Sequence, residues 1–181
     1  LHPHLLRSCA GELSLPLCLI FQKSMRTGSI PVAWSRSVVV PIFKAKSHTD
    51  PLNYRLVSLT LVCCKSMERI VVSRLTEYLE RNNILSSHQY GFRSNRSTED
   101  QLLLTYDDVG RWNDEGYVVD VIMLDFSKAF DVVSHGVLLS KLESLGVGGL
   151  LLAWISAFLS GRVMSVSVSG RLSSPVYVTS G

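Results

Sequence analysis

The sequence has little charge and lacks the markers that would fix a class at once. Of its 181 residues, 18% are charged and 46% hydrophobic, which argues against disorder and for at least one substantial core. Its four cysteines, Cys9, Cys18, Cys63 and Cys64, show no Cys-x-x-Cys spacing and two are adjacent, so neither a zinc site nor a disulfide framework is expected and a reducing compartment fits. No apolar run reaches the roughly 20 residues that span a bilayer. The longest, residues 13–21 and 147–159, do not read as anchors, and no membrane partner is expected. Internal repeats and low-complexity segments are absent. The chain opens on Leu1 rather than methionine and stops at Ser180-Gly181, straight after an alternating apolar segment, so it is expected to be part of a longer protein.

What charge there is falls unevenly. Residues 1–60 hold seven basic side chains (Arg7, Lys23, Arg26, Arg36, Lys44, Lys46, Arg55) against Glu12 and Asp50, a balance of +5, which leaves −2 for the remainder of a chain of net +3. A basic lobe followed by a slightly acidic one suits a protein that grips phosphates with one part and holds cations with another. Positive mean hydropathy implies elements covered on more than one side, or apolar faces left bare.

Periodicity supplies the elements. Residues 1–27 read as helical, with Pro16 starting or kinking a turn and Thr27-Gly28 closing it. Residues 35–43 form a β-branched run interrupted by Pro41, which predicts an edge strand. A polar loop and a second extended piece around residues 54–59 complete a hairpin with Lys44 and Arg55 on its arms. Met67, Ile70, Val71, Leu75, Tyr78 and Leu79 recur at helical spacing within residues 61–82. Ser97-Thr98, with Asp100 or Gln101 following, reads as a cap for a helix over 102–112. Residues 117–124 are almost continuously apolar, as for a strand buried on both faces, delivering Asp125 at its end. Helices over 133–145 and 149–159, each closed by glycine, precede a hairpin that turns at Ser169-Gly170-Arg171.

The string V-I-M-L-D-F-S-K-A-F-D (residues 121–131) carries the sharpest chemical signal. Nucleotidyl transfer needs carboxylates that hold two magnesium ions about 4 Å apart, and a strand end is a rigid place for one. By spacing alone, an Asp at such a junction is better read as a turn or cap residue. Further strings stand in order around it: V-V-P-I-F-K (39–44), N-Y-R-L-V-S-L (53–59), C-K-S-M-E-R-I (64–70), Q-Y-G-F-R (89–93) with Ser97-Thr98, and W-I-S-A-F-L-S-G-R (154–162). Taken together they resemble the reverse transcriptase domain of non-LTR (LINE, jockey-like) retrotransposons over nearly the whole chain.

That resemblance implies an α+β fold: a right-hand polymerase fingers lobe plus an incomplete palm with an antiparallel sheet. Residues 1–35 would be a helical extension, and residues 36–181 the fingers and first part of the palm, ending before the Tyr-x-Asp-Asp segment. The implied activity is RNA-directed DNA polymerisation, a nucleotidyltransferase reaction with Mg2+ as cofactor and RNA template, DNA primer and dNTP as partners. Asp125 would be the first metal-binding aspartate, with the backbone carbonyl of Phe126 as a further ligand. Phe130 would be the steric gate against a ribose 2′-hydroxyl. Lys44 and Arg55 would contact the triphosphate of the dNTP, Arg bidentately and Lys as a point charge.

Gln89, Gly91 and Arg93 match a segment beside the template strand, and read equally as a structural turn. Leu56 departs from the family pattern, which has proline there. Tyr106-Asp107-Asp108 only mimics the catalytic signature: it lacks the intervening residue, precedes Asp125 and falls within a helical run. Residues 1–181 alone are expected to lack turnover, and a catalytically inactive remnant or a nucleic-acid-binding module is the alternative. An intact relative would act on nicked chromosomal DNA, which implies a nuclear step.

Overall fold

The computed structural model describes residues 3–181, apart from the side chains of Pro3 and Leu5; the helical expectation for Leu1 and His2 lies outside the described residues. The chain mixes helix and sheet and divides into two compact units, one of residues up to Ser73 together with Lys128–Gly181, the other Arg74–Ser127.

The first unit begins with helices α1 (Pro3–Ser8) and α2 (Ala10–Thr27). Pro16 sits inside α2, and Gly28 ends it at φ 59°, a left-handed cap that glycine adopts without a Cβ penalty. Strands β1 (Arg36–Phe43) and β2 (Tyr54–Leu59) form the expected antiparallel hairpin, with Val40 opposite Val57 and Ile42 opposite Arg55. A single 3-10 turn at Pro51–Asn53, where the Asp50 carboxylate accepts from the Leu52 amide, leads into β2. Helix α3 (Val62–Arg81) follows. After the second unit come α5 (His135–Ser144), α6 (Gly149–Leu159), and the strands β3 (Val163–Val168), β4 (Arg171–Leu172) and β5 (Val176–Tyr177). Within the second unit α4 (Thr98–Asp114) is the one complete helix among the described residues.

The sheet order is β2-β1-β3-β4, with β5 also on β3. Two expectations need correction here. First, β1 is not an edge strand: β3 runs parallel to it from Arg36 opposite Val163 to Val39 opposite Val166. Pro41 is tolerated because the β1–β3 ladder ends at Val39 and Val166, so that flank of β1 is unpaired where the missing N–H would fall. Second, the sheet is mixed and not antiparallel throughout, because of that parallel pair.

A third correction concerns residues 117–124. They form no strand; the segment has no regular structure and is open to solvent, with Val118 94% and Met123 90% exposed. Its apolar run is that of a strand covered on both faces, but a strand needs a ladder for its N–H and C=O groups, and none runs beside it among the described residues.

The core of the first unit is Trp34, Cys64, Met67, Val71 and Trp154, with Phe21, Met25, Ile30, Leu151, Ile155 and Phe158 packed against it. Helical spacing on α3 places Cys64, Met67 and Val71 on one stripe. Trp154 from α6 is 2% exposed and donates its indole N–H to Ser24 Oγ on α2 at 3.0 Å, while Ser24 donates to the Ser29 carbonyl. The polar end of the buried ring is thereby satisfied. Phe158 stacks on Trp154, and the Arg162 guanidinium lies 4.7 Å from the Phe158 ring centroid. Burial pushes the Cys64 thiol up to about 12, with its hydrogen bond to Glu68 adding to the effect, so it is a packing group and not a nucleophile.

Candidate functional site

The β1–β2 hairpin positions the first pair of predicted residues. Side chains alternate along a strand, so Lys44 shares a face with Ile42, and Arg55, directly opposite Ile42, shares it too. The ladder continues past β1 through the Lys44 amide, which donates to the Asn53 carbonyl at 2.8 Å. Lys44 and Arg55 are thus diagonal neighbours, both exposed, and neither forms an ion pair among the described residues. The tip beneath them is well fastened: Phe43 stacks on His48 at 3.7 Å, Tyr54 Oη donates to the His48 carbonyl, and Asn53 Nδ2 donates to that of Ser47. Two like charges thus share one exposed face, an arrangement whose potential is favourable for an anion.

The segment 84–96 behaves differently from a free phosphate contact. Arg93 donates from Nε to Glu80 Oε1 at 2.9 Å, from Nη2 to Glu80 Oε2, and from Nη1 to the Ser86 carbonyl at 2.7 Å. Its side chain is 11% exposed, and three of its five N–H donors are engaged. These hydrogen bonds hold the Glu80 carboxyl below the usual carboxylate range and raise Arg93 in turn. In this fold Arg93 therefore clamps its loop to the end of α3. Arg96 adds a bond to the Ser87 carbonyl and lies over the Tyr90 ring. Gln89 folds back onto the Gly91 carbonyl at 3.2 Å. Apart from Gly91 and its chain neighbours, no atom of the described residues comes within 4 Å of where a Cβ on Gly91 would sit, so that flank is open. Phe92 and Asn95 adopt left-handed φ values of 61° and 57°, uncommon for side chains of any size.

Asp125 and Phe126 lie at the end of the irregular 117–126 segment, both exposed. Phe130 follows in a turn closed by the Asp131 amide donating to the Lys128 carbonyl at 3.0 Å, with Lys128 itself at φ 54°. No three His, Cys, Asp or Glu side chains come together among the described residues. Asp125 thus offers one carboxylate, which is not a donor set for a pair of divalent ions. Tyr106, Asp107 and Asp108 lie within α4, and Asp108 pairs with Arg111 one turn on, as expected for a helix surface. Sequence reasoning missed Glu80, which stands thirteen residues before Arg93 with no pattern linking them.

The chain belongs to the reverse transcriptase (RNA-dependent DNA polymerase) family, whose model matches residues 44–181. Within it the similarity runs to mobile elements of the jockey and R2 kind. The RNA-directed DNA polymerase from mobile element jockey of Drosophila melanogaster is 34% identical over 168 residues, 91% of this chain and 18% of that protein. A probable RNA-directed DNA polymerase from transposon BS of the same species is 33% identical over 72% of this chain and 15% of its own length. The retrovirus-related Pol polyprotein from type-1 retrotransposable element R2 of Popillia japonica is 27% identical over 81% of this chain and 20% of its own. The chain therefore spans a fifth or less of the length of these relatives. Among the described residues no helix is long and apolar enough to cross a membrane.

Proposed function

We propose that this chain forms the fingers and the first part of the palm of an RNA-directed DNA polymerase of a non-LTR retrotransposon, with residues 1–35 as a helical extension. The observation that carries this reading is the face shared by Lys44 and Arg55 on a fastened hairpin, with no ion pair to either among the described residues. The triphosphate of a dNTP fits it, Arg55 gripping an oxygen pair and Lys44 adding a point charge. Phe130 limits room at the sugar 2′ position, and Gln89 and Gly91 lie beside the template strand of an RNA template and DNA primer, with Arg93 fixing their loop. Magnesium, when bound, supplies charge neutralisation at the phosphates. Asp125 and the Phe126 carbonyl would hold it, together with carboxylates that the described residues do not bring to them.

Primer extension by the polymerase containing this chain tests the proposal. Lys44→Ala and Arg55→Ala should each raise KM for dNTP by about ten- to a hundredfold, as expected for a lost charge-assisted hydrogen bond of ~1.5–3 kcal/mol. An unchanged KM in both variants would refute the hairpin's role. Residues 1–181 alone should bind nucleotide without turnover; magnesium-dependent extension by them that disappears in Asp125→Asn would overturn this.

A further inference from the structure

The turn carrying Phe130 is held by a part of the chain that no motif pointed to. Ser180 and Gly181 lie against it: the Gly181 amide donates to the Val133 carbonyl at 3.0 Å, Ser180 Oγ donates to the Asp131 carbonyl at 2.9 Å, and Ser180 forms a β-bridge with Ser134. His135 Nε2 lies 3.1 Å from the Gly181 carbonyl oxygen, which can only accept, so the ring donates there. On its other side the turn runs into α5, where Ser134 caps the helix by accepting from the Val137 amide.

Glycine at 181 is required twice over. Its φ is 92°, in the region that disfavours a Cβ. A Cβ there would also stand 3.1 Å from Asp131 Cα, 3.2 Å from the Phe130 carbonyl oxygen and 3.3 Å from that of Asp131. These are backbone atoms, so the contact is relieved only if the turn itself withdraws. A side chain at 181 would therefore move the main chain of Phe130 and Asp131.

We infer that Gly181 is a positioning residue for Phe130, setting how closely its ring approaches the 2′ position of the incoming sugar. This rests on the reading of Phe130 as the sugar gate. A larger residue at 181 displaces the gate through its main chain, so sugar discrimination falls while the rest of the nucleotide site stays in place.

The test is made in the polymerase containing this chain, as the ratio of kcat/KM for a dNTP to that for the matching rNTP. Gly181→Ala, which asks the turn to give by a few tenths of an ångström, should lower the ratio by about two- to fivefold, a fraction of what a full ångström of misplacement can cost, and Ser180→Ala, the milder variant, by less. Gly181→Ala added to Phe130→Ala should change the ratio no further than Phe130→Ala does. Phe130→Ala distinguishes the two layers: if it leaves discrimination intact, the gate reading falls; if it abolishes discrimination while Gly181→Ala has no effect, the positioning role falls. Hydrogen exchange over residues 128–138 provides a readout independent of activity. Protection should drop in Gly181→Ala, and unchanged protection would overturn the inference even in an inactive enzyme.

Discussion

At the residue scale, the Glu80–Arg93 pair is where chemistry and loop structure meet. Glu80 titrates below its ordinary value because Arg93 donates to it. Its contribution to holding the 84–96 loop is therefore complete above the ordinary glutamate value and is lost as pH falls through the depressed one; the raised Arg93 value matters only in strong alkali. Amide shifts of residues 86–96, followed by NMR from about pH 6 to about pH 3, should show the loop releasing below the usual glutamate range. Glu80→Gln should leave the loop loosened at every pH and remove the transition. The sequence made Arg93 visible as a cation in a motif but not as a clamp, because its partner lies on a different element. Gly181 was hidden for a similar reason: its need for glycine comes from the backbone of residues 130–131, which only the folded chain brings near.

At the scale of elements, what local pattern dictates was legible. The α3 stripe, the bounds of α6, and the cap of α4 all follow from residues within a few positions of one another. The cap is a full capping box: Ser97 Oγ accepts from the Asp100 amide while the Asp100 carboxylate accepts from the Ser97 amide. Ser97→Ala should destabilise α4 by ~0.5–2 kcal/mol. Since α4 buries none of its residues, the loss should appear as reduced helicity by circular dichroism and faster exchange over residues 98–103, with little shift in the main unfolding midpoint. What pattern could not supply was pairing. Pro41 suggested an edge because the arrival of β3 on one half of β1 is a long-range event, and residues 117–124 suggested a strand because apolar content says nothing of whether a neighbour exists.

At the scale of the whole molecule, apolar surface is prominent. Leu15 and Leu19 on α2, Leu103 and Tyr106 on α4, and Ile122 and Leu124 in the irregular segment are all more than half exposed, beyond the scattered hydrophobics of an ordinary soluble surface. Residues 1–181 alone should self-associate, with a light-scattering mass that rises with concentration and strong binding of an apolar dye. A monodisperse monomer that melts cooperatively would contradict this. The fastened hairpin and the Trp154 core give the first unit its own stability, while α4 and residues 117–126 contribute little burial of their own.

The hydrogen bond from Trp154 to Ser24 joins residues 130 positions apart, and the parallel β1–β3 pairing spans a similar separation. On a ribosome adding ~5–20 residues per second, α2 and the hairpin emerge some 7–26 seconds before the residues that complete them. During that interval Phe21, Met25 and Trp34 lack their chief partner and one flank of β1 is open to any strand that passes. Those apolar faces and that open flank stay uncovered throughout this interval, and codons that slow translation between residues 43 and 154 would lengthen it.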